Sequence, residues 1–269
     1  MHFFFSPLYS NYKEDLERFL INFNNEGTLI GTEKRNIVKF IRIDDVSFNV
    51  KSFRKATFTN KFIYKFFRKT KAQRSFEYAQ ELISKGINTP SPVAYLNDYN
   101  LFGLSSSYYI SLQMEDCFML SDVIENPFFH DRENIIRRYT RLIYKLHNNG
   151  IEFKDNSSGN FLIRKTEKDY HFYIVDLNRM NFSKKMSIPH RLANFSRISN
   201  DLEVIKIISD EYAFLAKIDL SYAMETISYH ASKFRRKSKL KQHLKQTLLN
   251  WLRMKMFATG FIDLIIQAG

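Results

Sequence analysis

The feature that most constrains this chain is a spacing. Asp155 stands five residues before Asn160, and Asn160 opens the apolar run Phe161-Leu-Ile163. Sixteen residues after Asn160, Asp176 follows a second apolar run, Tyr173-Ile-Val175. Two short apolar runs of this kind read as adjacent strands. If they pair, one hairpin brings two carboxylates and a carboxamide to the same place. A carboxylate can orient a hydroxyl and accept its proton, and hard oxygen donors can ligate a divalent cation. Each part alone has a plain reading: Asp-x-x-x-x-Asn arises by chance, and a lone Asp often sits in a turn.

Composition limits what surrounds this group. The chain has 269 residues, 44% of them hydrophobic and 16% aromatic, with only 8 Gly and 5 Pro. That is a globular composition with room for two lobes, and it excludes a low-complexity chain. A single cysteine, Cys117, leaves no internal disulfide and fits a reducing compartment. The opening Met-His-Phe-Phe-Phe lacks a basic leader and is soon interrupted by Lys13, Glu14 and Asp15, and no run is long and apolar enough for a membrane span. A cytoplasmic protein, peripheral on the inner face of a membrane, is the expectation. The formal charge is +13, from 41 Lys+Arg against 28 Asp+Glu. Nine basic residues and no acid occur from Lys51 to Arg74, and no acid occurs from Thr226 to Ile262. Such fields concentrate anionic partners; the plain alternative is a solvated basic face.

Asn11 to Phe23 reads as a short helix with Leu16, Phe19, Leu20 and Phe23 on one face. Thr28–Ile30, Ile37–Ile43 and Val46–Phe53 read as a meander of strands, the last with Lys51 opposite its apolar stripe. A helix over Lys71–Lys85 follows, with Phe76, Ala79 and Ile83 inward and Gly86 as its stop. Val93–Tyr95 and Leu101–Met114 supply two more strands. The stripe Ile135, Ile136, Tyr139, Leu142, Ile143 and Leu146 marks a long buried helix, and helices resume near His190.

Placed on these elements, the chemistry-bearing residues take the order of a kinase: Lys, Glu, Asp-x-x-x-x-Asn, Asp. In that reading Asp155 is the catalytic base, Asn160 and Asp176 hold Mg²⁺, and Lys51 reaches the α- and β-phosphates of ATP. Glu77 on the helix after the third strand pairs with Lys51, with Glu81 as its rival one turn on. Gly27 and Gly31 do not make a Gly-rich fingerprint, so phosphate cover falls to the backbone from Gly31 to Asn36. Adenine falls to backbone groups around Gln113, Met114 and Glu115. The fold expected is α+β and bilobal, protein-kinase-like: an N-lobe of antiparallel sheet and one key helix over 1–116, and a mainly helical C-lobe over 117–269.

The sequence also resembles the lipopolysaccharide core kinases that phosphorylate Kdo or heptose sugars. The resemblance runs from about Gly27 onward and rests on Val50-Lys-Ser-Phe53, Arg74-Ser-Phe-Glu-Tyr78, Gly86-Ile-Asn-Thr-Pro90 and Ser107-Tyr-Tyr-Ile-Ser111. It continues through Leu146-His, Gly150-Ile to Asp155, Gly159-Asn-Phe-Leu162, Ile174-Val-Asp-Leu-Asn-Arg-Met-Asn-Phe182 and Arg191-Leu-Ala-Asn-Phe-Ser-Arg197. It implies Mg·ATP as donor and a sugar hydroxyl of an anionic, lipid-linked glycan as acceptor, met at the inner-membrane surface; nucleic acid is not the expected partner. Phe153 and Asn156 depart from the His and Leu usual in such loops, and Leu177-Asn178 replaces Phe-Gly. No Ala-Pro-Glu segment follows, which disfavours a regulated protein kinase. A kinase of another acceptor, or a pseudokinase serving as a basic scaffold, are the alternatives.

Overall fold

The computed structural model describes residues 2–31, 36–53, 69–101, 103–167, 169–182 and 185–267, without the side chains of 2, 249 and 252–267. The central part of the basic stretch after Lys51 and most of the Gly31–Asn36 segment therefore lie outside the described residues. By compactness the chain forms two units, Met1–Ser187 and Ile188–Gly269. The proposed lobe boundary at 116/117 falls inside the first.

The first unit begins with strand β1 (His2–Phe5) and helix α1 (Lys13–Ile21). Strands β2 (Thr28–Leu29), β3 (Asn36–Ile43) and β4 (Val46–Phe53) follow, then helix α2 (Lys71–Ser84) and strands β5 (Pro92–Asn100) and β6 (Gly103–Leu112). They form a six-stranded sheet in the order β1-β5-β6-β4-β3-β2, antiparallel throughout. Strand alternation gives this sheet two faces. On one, Phe48, Val50, Ala94, Leu96 and Ile110 form a core with Leu16, Phe19 and Leu20 of α1 and Phe23 just after it, so α1 and the turn that follows are what close it. Each of these side chains other than Ala94 contributes roughly 1.5–3 kcal/mol by leaving water. On the other face, cross-strand neighbours Val38, Lys51 and Tyr109 make one rung, and Asn49 sits opposite Ser111. Burial of the first face is thus what aims Lys51 at the second.

Helix α2 starts at Thr70, whose hydroxyl accepts from the Gln73 N–H at 3.1 Å. It ends in a Schellman turn: Gly86 at φ 64° donates to Ile83, and Ile87 donates back to Leu82. That turn corrects one expectation. Leu82 and Ile87 are buried, whereas Ile83 is 45% exposed, because the chain folds back over the Leu82 side of the helix end.

Strand β7 (Cys117–Met119) and helices α3 (Leu120–Glu125) and α4 (Arg132–Asn148) follow. Ile135, Ile136, Tyr139, Ile143 and Leu146 of α4 are buried, as the stripe predicts. Arg132 donates to the Val123 and Ile124 carbonyls near the end of α3, a cation where the helix leaves acceptors unpaired. Strands β8 (Ile151–Phe153), β9 (Phe161–Lys165), β10 (Tyr170–Ile174) and β11 (Met180–Phe182) complete the unit as sheets β10-β9-β7 and β11-β8.

The second unit holds helices α5 (Ile188–Ala193), α6 (Leu202–Ala216) and α7 (Leu220–Gln267). Within it α6 buries Val204, Ile205, Ile207, Ile208, Tyr212 and Ala213 among others, and α7 buries Ala223, Ile227 and Ala231 among its described side chains. No helix among the described residues is long and apolar enough to cross a membrane.

Candidate active site

The β9–β10 hairpin pairs Phe161 with Ile174. One bond beyond that register, the Val175 N–H donates to the Asn160 carbonyl at 3.0 Å. This closure places Asn160 and Asp176 side by side at the strand ends. The Asn160 side chain donates through Nδ2 to the Asp155 carbonyl at 2.7 Å. The carboxamide thereby closes the loop on the residue five positions earlier, and its Oδ1 is the atom left as acceptor. A second tie comes from the β8–β11 pair, continued by Lys154 donating to the Arg179 carbonyl at 3.1 Å. It brings Arg179 alongside Asp155, and Nη1 of Arg179 lies 2.9 Å from Asp155 Oδ1. Asp155 is buried while Arg179 is more than half exposed.

Asp176 adopts left-handed backbone geometry, φ 59° and ψ 50°. That conformation is uncommon outside glycine and asparagine and is held here at the exit of β10. Its Oδ1 receives Lys51 Nζ at 2.7 Å, from 125 residues away in sequence, and Asn178 Nδ2 at 2.6 Å. Behind it, the Thr89 hydroxyl donates to the Ile174 carbonyl at 2.7 Å and Ile174 donates to the Asn88 carbonyl at 3.1 Å. The segment after α2 thus fastens the end of β10.

Lys51, Asn160 and Asp176 line one cavity of about 480 Å³. Ile30 and Val38 line it from the sheet, Met119 and Leu162 from β7 and β9, an apolar slot of the size and character that takes a planar base. Gln113 and Met114 are on its wall; Glu115 and Gly31 are not. Gln113 is fixed in place, accepting from Asn49 Nδ2 at 2.8 Å and donating to the Met114 carbonyl at 3.0 Å. The Glu115 carbonyl accepts from Arg164 at 2.9 Å.

Glu77 is not brought to Lys51. Its two carboxylate oxygens bind Lys69 Nζ at 2.7 Å and Gln73 Nε2 at 3.1 Å. The reason is local: Gln73 is one turn back on α2 and Lys69 precedes the N-cap, so both reach the carboxylate first. The Glu77 bond holds the Lys69 ammonium above its usual range. The rival, Glu81, pairs with Lys85 at 3.1 Å. The carboxylate partner of Lys51 is Asp176.

Two departures in the loop are accommodated by packing. Phe153 is buried against Phe161, their rings 5.8 Å apart and nearly perpendicular. Asn156 is buried and accepts the Tyr139 hydroxyl at 2.7 Å. Burial pushes the Tyr139 phenol well above its usual value.

Among the described residues no three His, Cys, Asp or Glu side chains cluster as a metal centre. Asn160 and Asp176 nevertheless fit Mg²⁺, which binds through one or two protein oxygens completed by phosphates and water.

An antiparallel sheet that carries Lys51 to the same apolar slot as Asn160 and Asp176 defines a kinase-like fold. A solved structure described as "WaaP in complex with acyl carrier protein" superposes with a TM-score of 0.60 over 89% of this chain and 98% of that one, at 12% identity. The profile of the lipopolysaccharide kinase (Kdo/WaaP) family matches residues 15–216. The chain belongs to that family. No curated protein sequence matches it.

Proposed function

We propose that the chain transfers the γ-phosphate of ATP to a sugar hydroxyl, Kdo or heptose, of a lipopolysaccharide inner core. The observation that supports this most is the Lys51–Asp176 contact at 2.7 Å beside Asn160 in an apolar cavity. It unites on one wall the phosphate-binding cation and the metal-binding oxygens that phosphoryl transfer needs.

In this reading the base enters the slot between Val38 and Leu162, with backbone groups near Gln113 and Met114 meeting its edge. Lys51 turns from Asp176 to the α- and β-phosphates. Asp176 and the Oδ1 of Asn160 would hold Mg²⁺, which would neutralise charge on the phosphates. Asp155 orients the acceptor hydroxyl and takes its proton as the oxygen bonds to the γ-phosphorus; the bond to the bridging oxygen breaks and ADP leaves. Arg179 fixes the Asp155 rotamer as a positioning residue. Glu77 has no part in holding Lys51 in this arrangement. The net positive charge suits an anionic glycolipid acceptor and disfavours a cationic one.

Calorimetric titration with ATP tests the nucleotide half. Wild type should bind in a Mg²⁺-dependent way. Lys51→Met should weaken binding, and Asp176→Asn should remove the Mg²⁺ dependence. Equal ATP affinity in all three, with or without Mg²⁺, would overturn the assignment.

A further inference from the structure

Leu177, Asn178 and Met180 are buried, and Arg179 in their midst is exposed. The buried side chains pin the short turn Leu177–Arg179, which starts from the left-handed Asp176. Asn178 ties the turn inward by donating to Asp176 Oδ1 at 2.6 Å. From the other side the Lys154 N–H holds the Arg179 carbonyl at 3.1 Å. A long side chain loses rotamer freedom when it is ordered, yet this guanidinium is steered to one place, with Nη1 2.9 Å from Asp155 Oδ1.

The pair is lopsided. The Asp155 side chain is 11% exposed and that of Arg179 57%. An ion pair open to water on one side adds little stability, so its position calls for another reason. Among the described residues Nη1 is the guanidinium nitrogen that has a hydrogen-bond partner. The donors of Nε and Nη2 remain for whatever meets Asp155. Lys154, also exposed, adds a second cation beside Asp155 in sequence. Neither Asp155 nor Arg179 lines the cavity shared by Lys51, Asn160 and Asp176. The pair is therefore placed for the acceptor rather than for the nucleotide.

We propose that Arg179 selects the acceptor: its guanidinium binds an anionic group, carboxylate or phosphate, a few bonds from the hydroxyl held by Asp155. The inference rests on the sugar-kinase reading and narrows it. A planar fork of N–H donors matches two oxygens of a carboxylate or phosphate. Because the two side chains touch, a hydroxyl that reaches Asp155 brings its neighbouring substituents within reach of Arg179. Kdo carries such a carboxylate itself, whereas heptose has to bring a phosphate.

The test is steady-state transfer from Mg·ATP by the full-length protein to two pairs of acceptors. One pair is a Kdo–lipid A precursor and the same molecule with the Kdo carboxyl converted to its primary amide. The other is a heptosylated precursor with and without a phosphate on the heptose. Wild type should favour the charged member of one pair on the order of tenfold or more in kcat/KM, and the pair that shows it identifies the anion. Arg179→Ala should lose that preference through a raised KM for the charged acceptor, with the KM for ATP unchanged, and Arg179→Lys should restore part of it. An arginine that only steadied Asp155 would lower kcat for both members alike and leave the preference in place. Circular dichroism checks that both variants stay folded. Transfer without preference in wild type, or a preference that survives in Arg179→Ala, overturns the inference and leaves the sugar-kinase reading standing. No transfer to any of the acceptors overturns both.

Discussion

Removing the Tyr139 hydroxyl isolates how the loop that carries Asp155 is held. Tyr139 and Asn156 are both fully buried, and their 2.7 Å bond joins the middle of α4 to the residue after Asp155. In Tyr139→Phe the ring remains, with its edge contact to Phe161 at 5.0 Å, so no cavity of ring size opens. What is lost is the buried hydrogen bond from the Tyr139 hydroxyl to Asn156 Oδ1. A loss of this kind costs roughly 1–3 kcal/mol. Urea unfolding followed by circular dichroism measures it, and a cycle with Asn156→Ala should give a coupling of about 1 kcal/mol, the double variant being less destabilised than the two singles summed. The alkaline limb adds a second readout. Burial raises the folded Tyr139 phenol, so below about pH 10 both states are neutral and pH has no effect through it. Above that only the unfolded state ionises, and this contribution to stability falls as pH rises toward the folded value. Tyr139→Phe should therefore show a shallower decline above pH 10. A stability change under about 0.5 kcal/mol with an unaltered alkaline slope would refute the reasoning.

Other expectations follow from the same geometry. Because Glu77 is occupied by Lys69 and Gln73, Glu77→Gln should lower kcat less than about tenfold, whereas Lys51→Met should lower it on the order of 100-fold or more; steady-state kinetics compare them. Arg179→Ala should reduce kcat while leaving the KM for ATP unchanged, since Arg179 acts through Asp155 and the nucleotide contacts are elsewhere. Gly27→Ala should destabilise more than Gly86→Ala in thermal melts. Both sit at positive φ, but a Cβ at Gly27 meets Phe19 at 2.9 Å and the Phe40 carbonyl at 3.1 Å, while at Gly86 the nearest atom is the flexible Lys145 Nζ at 3.5 Å.

The parts of this fold legible in sequence are those with a long period or a fixed spacing. Of the Leu16, Phe19, Leu20, Phe23 stripe, the first three lie on α1 and Phe23 just past its end, and all four are buried. Alternation through Val46–Phe53 fixes both the strand and the side to which Lys51 points. The spacing of Asp155, Asn160 and Asp176 reads as a hairpin and is one. Strand β1 was not legible, because Phe3, Phe4 and Phe5 have no alternation; only pairing with β5, Phe3 to Leu96 and Phe5 to Ala94, defines it. Three-residue strands such as β8 and β11 are too short to carry any period. Arg179 was visible within a motif but without a role, since only the β8–β11 pairing carries it to Asp155. The Lys51–Glu77 pair failed for the complementary reason. Position on a helix face says which residues can approach, not which neighbour binds first, and Lys69 and Gln73 are nearer in sequence.

The most direct test of the account is phosphate transfer itself: ATP consumption by wild type and by Asp155→Ala, each with and without a Kdo–lipid A precursor. Wild type should consume ATP only when the acceptor is present, and Asp155→Ala should remain folded with turnover reduced on the order of 10²–10⁴-fold. Turnover indifferent to the acceptor, or retained in Asp155→Ala, would contradict the assignment of Asp155 and of the sugar acceptor.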